Sequence, residues 1–303
     1  MSGPAAMGVP AARQGPGPIA NRLVEALDFQ LSRRAGGLHP GEHRSPGVGT
    51  GTELAQIRPY IPGDDVRQLD PAASARTGIP HVRLQVPERL MTTWLVLDVS
   101  PSMAFGTAER LKWDVAEGVI RVLGRLATRR GGRVAILTCG GPADRLLAPR
   151  SGRGAAAGLE RVLAEGVATD GHGDEQGIAH ALRRLGRLAR GPGLVTVVSD
   201  FRGPVSWRSP LRSLGGRHSL LAVEIGDPRE AALPNVGRLA LVDPESGRRV
   251  DVDTGDSRLR ARYEQQERRR REEVRAGLRH STARHVELST DAPWLDALGR
   301  GLR

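Results

Sequence analysis

The most constraining feature of the sequence is a short apolar run, residues 93–97, that is followed directly by Asp98, Ser100 and Ser102. A run of this length, bounded by Ser and Pro, is typical of a buried strand. Open α/β sheets bind ligands beyond the carboxyl ends of their strands, which is where the pattern puts these side chains. A carboxylate and two hydroxyls offer hard oxygen donors, which suit Mg²⁺ or Mn²⁺ rather than Zn²⁺. A turn that only caps the next helix is the alternative interpretation.

Strand and helix patterns alternate from residue 91 to residue 303. Apolar runs predict further strands, and periods of three to four residues predict helices; the strands are 133–138, 194–199, 219–225 and 285–288, and the helices are 109–129, 155–165, 176–189, 257–279 and one that begins at 293. This alternation predicts an α/β fold with a mostly parallel sheet, helices on both faces and right-handed crossovers. Residues 237–252, with a turn at Gly247, are predicted to form a hairpin appended to the sheet.

The first ninety residues differ in character. Residues 1–18 are rich in Gly, Pro and Ala and are expected to be disordered. Residues 19–90 begin with helical spacing of apolar residues over 21–34 and continue as a loop-rich extension with a strand at 81–86. The sequence thus divides into a disordered N-terminus (1–18), a helix with a loop-rich region (19–90) and an α/β domain (91–303).

A second carboxylate follows another predicted strand, because the run 194–198 leads into Ser199 and Asp200. Taken alone, Asp200 is better interpreted as an N-cap of the next helix. Two strands that each deliver an Asp to the same edge of a parallel sheet favour a metal site instead. We therefore expect Asp98, Ser100 and Ser102 to converge with Asp200 on a Mg²⁺ or Mn²⁺ ion.

The composition narrows the function classes. The net charge is +11, but the basic residues are spread along the chain, Lys112 is the only lysine, and aromatic residues that could stack on bases are scarce. Specific nucleic-acid binding therefore remains only an alternative. A single cysteine, Cys139, excludes an internal disulfide, and no apolar run approaches the roughly 20 residues of a membrane helix. With no secretory signal pattern either, we expect a cytoplasmic protein.

Several motifs, in order along the chain, resemble the bacterial domain-of-unknown-function 58 (DUF58) family. They are residues 51–67, Ser74-Ala75-Arg76-Thr77, the Asp98-x-Ser100-x-Ser102 turn with Met103-Ala104-Phe105-Gly106, Val198-Ser199-Asp200-Phe201, Asp227-Pro228-Arg229-Glu230 with Leu233-Pro234, and Asp243-Pro244-Glu245-Ser246-Gly247. The resemblance implies a fold like that of von Willebrand factor type A domains, whose metal-ion-dependent adhesion site begins with Asp-x-Ser-x-Ser. Many members carry two membrane helices before the domain and this sequence shows none, so we expect the chain to belong with the soluble members. The resemblance also implies a role as partner or adaptor of a MoxR-type AAA+ ATPase, since the two are commonly encoded side by side.

Two departures from the family pattern limit what can be transferred. Pro71 stands where the family usually has Trp. Type A domains also supply a Thr ligand from a further loop; Thr169 matches it by local sequence, yet extra Gly- and His-rich residues could put Asp174 there instead. Both Thr169 and Asp174 stay open as the additional ligand.

The remaining motifs indicate structure rather than catalysis. Pro62-Gly63 fits the centre of a type II turn, and Asp64 and Asp65 can pair with Arg58 or Arg67 or cap the next turn. No nucleophile with its base and no phosphate-binding loop is present in the sequence. We therefore predict a metal-dependent protein-interaction module, not an enzyme, in which a partner's carboxylate completes the coordination of the ion; a metal-assisted hydrolase or a basic nucleic-acid-associated protein is the alternative.

Overall fold

The computed structural model describes residues 14–21, 24, 53–86, 91–129 and 131–302. The chain divides into a large unit, Met1–Arg34 with Met91–Arg303, and a small unit, Ala35–Leu90. The predicted helix over 21–34 lies largely outside the described residues.

The small unit contains two antiparallel strands, β1 (Glu53–Pro59) and β2 (His81–Val86), with helix α1 (Pro71–Thr77) between them in sequence. The predicted turn is present, because Gly63 has a φ of 109° and the Asp64 N–H donates to the Ile61 carbonyl at 3.0 Å. Asp64 accepts two hydrogen bonds of 2.7 Å from Arg58. Residues 58–64 thus form a turn that an ion pair between Arg58 and Asp64 stabilises.

Asp70 explains why Pro71 is tolerated in this unit. Its side chain accepts from the Ala73 N–H at 2.9 Å and caps α1, where a proline at the first position loses no helical hydrogen bond. The other carboxylate oxygen accepts from Arg83 Nε at 2.8 Å. The Arg83 hydrogen bond and then the cap lower the pKa of Asp70 to about 2.

Replacing Arg83 with leucine is expected to raise the pKa of Asp70 toward the ordinary value of about 3.9. Because the folded-state pKa lies below the unfolded one, the Asp70 carboxylate stabilises the fold above about pH 4 and loses that effect as the pH falls to about 2. Carboxyl-carbon NMR measures the shift directly. Arg76→Leu, which removes a charge from the exposed side of α1, is the matched control, and equal shifts in the two variants would contradict the role of Arg83.

The large unit is built on a six-stranded sheet. Its strands are β3 (Thr92–Asp98), β4 (Arg133–Cys139), β5 (Leu146–Arg150), β6 (Gly193–Ser199), β7 (Ser219–Gly226) and β10 (Arg284–Ser289). Their order across the sheet is β10-β7-β6-β3-β4-β5, and all neighbours are parallel except β4 and β5. Strands β8 (Arg238–Val242) and β9 (Arg249–Asp253) form a separate antiparallel hairpin.

Helices cover both faces of this sheet. They are α2 (Lys112–Arg129), α3 (Gly152–Glu165), α4 (Gly177–Leu188), α5 (Arg208–Gly215), α6 (Ser257–His280) and α7 (Trp294–Leu302). Alternate residues of β3 enter two separate cores: Leu95 and Leu97 pack with apolar residues of α2, α3 and α7, whereas Trp94 and Val96 pack with those of α4, α5 and α6. Successive residues of the strand point to opposite faces of the sheet, and helices cover both faces. The central positions of the strand are therefore all apolar. The predicted α/β fold class is confirmed.

The N-terminal segment differs from its predicted disorder in the part that the structure describes. The Gly15 N–H donates to Asp114 Oδ1 at 3.1 Å, and the indole N–H of Trp294 donates to the Pro16 carbonyl at 2.9 Å. Val24 is fully buried in the same core. Composition suggested disorder, but backbone groups of residues 15 and 16 satisfy polar groups of α2 and α7, and this fixes the segment.

The sheet topology creates a crevice between β3 and β6. From β3 the chain moves to β4 on one side and later returns to β6 on the other, so the loops after β3 and β6 diverge. Such a switch point is where doubly wound sheets bind ligands. Asp98 ends β3 and Asp200 follows β6, so the expected adjacency of these two strand ends is confirmed. Within the described ranges, none of the helices combines the length and apolar character needed to span a bilayer.

Candidate functional site

The loop after β3 folds tightly around its own aspartate. The Ser100 N–H donates to Asp98 Oδ1 at 2.9 Å, and the hydroxyls of Ser100 and Ser102 lie 3.1 Å apart. A short 3₁₀ helix, Pro101–Ala104, begins after Ser100 because Pro101 can occupy its first turn without losing a hydrogen bond. All three predicted ligands of this loop are buried, at 5–7% exposure, and face the crevice.

Neighbouring strands hold Asp98 in place. Its second oxygen, Oδ2, accepts from Ser199 Oγ at 2.6 Å, and Ser199 Oγ in turn accepts from the Phe201 N–H at 2.9 Å. On the other side lies Gly140, where a Cβ would come within 2.6 Å of Asp98 Oδ1. The glycine, with a φ of 83°, therefore leaves the space that the carboxylate occupies.

Asp200 reaches the same crevice but has a cation of its own. Lys112 Nζ, which is fully buried, lies 2.5 Å from Asp200 Oδ2 and 2.7 Å from Glu230 Oε1. The other oxygen of Asp200 accepts from the Arg202 N–H at 3.1 Å. The one lysine of the chain thus lies between two carboxylates beside the predicted metal ligands.

The two strand-end carboxylates differ in how strongly they hold a proton. Burial, reinforced by the nearby charge of Asp200, raises the pKa of Asp98 to about 6 despite its hydrogen bonds. Burial also acts to raise the pKa of Asp200, but the ammonium of Lys112 outweighs it and holds that pKa below its usual range. Asp98 is therefore the carboxylate whose negative charge is less compensated.

The structure separates the two candidates for the additional ligand. Asp174 lines the crevice; its backbone N–H donates to the Gly140 carbonyl at 3.0 Å, and its side chain accepts from the Gln176 N–H and faces His180 Nδ1 at 3.0 Å. The exposed Thr169 instead lies near His172, 3.3 Å from its Nδ1. Asp98, Ser100, Ser102, Asp200 and Asp174 are thus brought together, and Thr169 is not among the described residues that line the crevice.

Glu245, in the loop between β8 and β9, was not among the predicted ligands. Its Oε1 accepts from the Ser102 N–H at 3.2 Å, and its Oε2 is buried with no hydrogen-bond partner among the described residues. Burial raises the pKa of Glu245. The motif Asp243-Pro244-Glu245-Ser246-Gly247 marked this loop in the sequence, but a contact between residues 143 positions apart could not be inferred from it.

The crevice is strongly acidic although the chain is basic. It has a volume of about 620 Å³, and the described residues that line it include seven acidic residues but only two arginines, Arg202 and Arg270; the seven are Asp98, Asp174, Glu175, Asp200, Asp243, Glu245 and Glu273. On a chain of net charge +11, this concentration of negative charge is local. Such a site attracts cations.

The donor set fits a hard divalent cation. Adjacent ligands of an octahedral Mg²⁺ with bonds of about 2.1 Å lie about 3.0 Å apart, close to the 3.1 Å between the hydroxyls of Ser100 and Ser102. The buried Oε2 of Glu245 has none of the described residues as the hydrogen-bond partner that such an oxygen normally has. Oxygen donors, suitable spacing and an unsatisfied carboxylate oxygen together match the predicted Mg²⁺ or Mn²⁺.

A second group of titratable residues lies on β7 and β10, where Glu224, His285 and Glu287 approach one another. His285 Nε2 is 2.9 Å from Glu224 Oε2, and Arg275 forms two 2.8 Å hydrogen bonds with Glu287. Glu287 is thus paired with Arg275, and Glu224 with His285. We interpret this group as an ion-pair network that ties α6 to the edge of the sheet.

Comparison with known proteins places the chain among its relatives. It is similar to the uncharacterized proteins Rv1480 of Mycobacterium tuberculosis and Mb1516 of Mycobacterium bovis, each 35% identical over 274 residues, which is 90% of this chain and 85% of the relative. Among solved structures, a conserved hypothetical protein, BatB from Bacteroides thetaiotaomicron, is 14% identical and has a TM-score of 0.44 over 70% of this chain and 97% of its own. The VWA domain of SpRpn10 is 12% identical, with a TM-score of 0.39 over 69% and 94%.

The family follows from the sequence match. The model of one family covers residues 56–273, which include the small unit's turn, the crevice loops and most of α6. This span contains every motif of the resemblance except the first residues of the segment 51–67. The chain belongs to the family described as "Protein of unknown function DUF58".

Proposed function

We propose that this protein is a metal-dependent protein-interaction module whose crevice binds Mg²⁺ or Mn²⁺ through Asp98, Ser100 and Ser102. Asp200 and Asp174 contribute negative charge at the rim, with Asp174 preferred over Thr169 because it lines the crevice. The observation that carries the proposal is the acidic crevice at the sheet's switch point, on a chain that is otherwise basic.

Electrostatics explain why binding would depend on the ion. A partner's Asp or Glu that enters this crevice alone meets several carboxylates and is repelled. A divalent cation on the loop after β3 offsets part of that negative charge and offers the incoming oxygen a coordination position. The ion thus turns an unfavourable contact into a charge-assisted one.

The partner is proposed from the family resemblance, which implies a MoxR-type AAA+ ATPase. An acidic side chain on that ATPase would supply the carboxylate. A partner with a basic contact surface would instead bind the crevice without any ion, because the crevice attracts positive charge. Dependence on the ion therefore distinguishes the two kinds of partner.

Ion binding is tested by titrating Mn²⁺ and recording its electron paramagnetic resonance signal. We expect the wild type to bind Mn²⁺, and Asp98→Ala and Ser102→Ala to weaken binding by about tenfold or more. Ser102→Ala is the milder change, because the backbone N–H that bonds Glu245 remains. Asp170→Ala, which removes an exposed carboxylate beside the crevice, is the matched control. Equal binding by all four proteins would contradict the site.

Recognition is tested by measuring association with the MoxR-type ATPase of the same cell. Association that requires Mg²⁺ and fails in Ser102→Ala is the expected result. Association that is unchanged by chelator and by the substitution would exclude a role for the ion and place the interface elsewhere.

A further inference from the structure

The loop between β8 and β9 is a stiff, self-supporting turn. The Asp243 N–H donates to the Arg248 carbonyl at 2.8 Å, and the Gly247 N–H donates back to the Asp243 carbonyl at 2.8 Å, with Gly247 at a φ of 70°. The Asp243 side chain accepts from the Glu245 N–H at 3.2 Å and from the Ser246 hydroxyl. The loop thus fixes the backbone from which the Glu245 side chain projects.

This loop is anchored on the segment that follows α3. The Gly171 N–H donates to the Pro244 carbonyl at 2.8 Å, and the Gly173 N–H donates to the Glu245 carbonyl at 3.4 Å. A Cβ at Gly173 would lie 1.7 Å from Glu245 Oε2. The absence of a side chain at residue 173 therefore provides the space in which the glutamate enters the crevice.

The carboxylate of Glu245 reaches the loop that carries the serine ligands. One oxygen accepts the Ser102 N–H, and the other is buried without a partner among the described residues. Leaving a buried carboxylate oxygen unsatisfied is unfavourable, and a neighbouring cation is the most effective way to satisfy it. Oε1 thus contacts the loop of the serine ligands, and the buried Oε2 lies beside Gly173.

We propose that Glu245 is an internal ligand of the bound ion, so that the β8–β9 hairpin occupies the position that a partner's carboxylate takes during recognition. This inference rests on the proposed metal-dependent function and adds its regulation. With the hairpin docked, the ion is coordinated within the chain and the site is closed to partners. A partner binds by replacing Glu245 with its own Asp or Glu, and the difference between the two carboxylate contacts sets its affinity.

The inference is tested with Mn²⁺ as the probe and acetate as the smallest foreign carboxylate. Glu245→Ala is expected to weaken Mn²⁺ binding by about tenfold or more, and added acetate is expected to restore much of that loss. In the wild type, Mn²⁺ should slow hydrogen exchange in residues 243–247, and in Glu245→Ala it should not. Asp251→Asn, which neutralises an exposed carboxylate of the same hairpin, should behave like the wild type in both measurements.

The outcomes separate this inference from the function on which it rests. If Ser102→Ala loses Mn²⁺ affinity and Glu245→Ala does not, Glu245 is not a ligand and only the inference fails. Weakened binding that acetate does not restore shows that Glu245 shapes the loop without donating an oxygen, and this also overturns the inference. A wild type that binds no Mn²⁺ overturns the proposed function itself.

Discussion

Replacing Lys112 with methionine is expected to lower the free energy of unfolding by about 3–5 kcal/mol, the cost of breaking a buried ion pair from one side. The ammonium is fully buried and contacts Asp200 at 2.5 Å and Glu230 at 2.7 Å. Burial alone acts to lower the pKa of Lys112, but the two carboxylates outweigh burial and raise it. Methionine fills a similar volume and leaves no cavity. The expected loss of stability therefore comes from the two carboxylates that are left without their cation.

The choice of lysine at this position supports its role. Lysine and arginine together account for 45 residues, and all of these are arginine except Lys112. An ammonium is a compact charge that fits between two carboxylates in a closed space, whereas the planar guanidinium needs more room and more acceptors. We therefore expect Lys112→Arg to be destabilising as well, although the charge is kept.

Urea denaturation measures these losses of stability, and two further variants show whether they come from the buried ion pairs. Arg121→Met removes a cation from the same helix, but this arginine is half-exposed in its pairs with Glu117 and Glu160, so the expected loss is about 0–1 kcal/mol. Combining Lys112→Met with Asp200→Asn and Glu230→Gln should recover part of the stability, because the buried charges disappear together. A loss no larger than that of Arg121→Met would refute the proposed importance of the buried triad.

The fold and one edge of the site could be predicted because they depend on local pattern. The runs ending at Asp98 and Asp200 are buried on both faces, so their apolar continuity indicates parallel strands, and parallel strands bring their carboxyl ends to one edge. Strand β5 gave no such signal, because it is short, contains Pro149 and is half-exposed at the sheet edge. Helix α1 was also missed, since seven residues offer too little periodicity.

The rest of the site depends on contacts that sequence spacing does not encode. Lys112 and Asp200 are 88 positions apart, and Ser102 and Glu245 are 143 positions apart. The choice between Thr169 and Asp174 depended on how a glycine-rich loop folds, which local sequence leaves open. The residue type was the available signal, because a single lysine in an arginine-rich chain indicates a position at which arginine does not fit.

Replacing Gly140 with alanine is expected to destabilise the large unit by about 2–4 kcal/mol, from backbone strain at positive φ together with overpacking. The residue has a φ of 83°, and its new Cβ would lie 2.6 Å from Asp98 Oδ1 and 2.9 Å from Ser100 Cβ. Gly237→Ala is the matched control, because that glycine has a φ of 72° and open space around its missing Cβ. Both variants share the backbone strain at positive φ, but only Gly140→Ala adds a steric contact. The difference between their free energies of unfolding, measured by urea denaturation, gives the effect of that contact.

The same substitution connects stability to the proposed ion site. Asp98 and Ser100 must move away from the new methyl group, and Asp174 must follow, because its N–H bonds the Gly140 carbonyl. We therefore expect Gly140→Ala to weaken Mn²⁺ binding by about tenfold or more even under conditions in which it remains folded, and Gly237→Ala to leave binding unchanged. Equal losses of stability in the two variants would show that Asp98 can move away from the new methyl group with little loss of free energy. Unchanged Mn²⁺ binding by folded Gly140→Ala would show that the ion, if bound, does not depend on the position that Asp98 has in this structure.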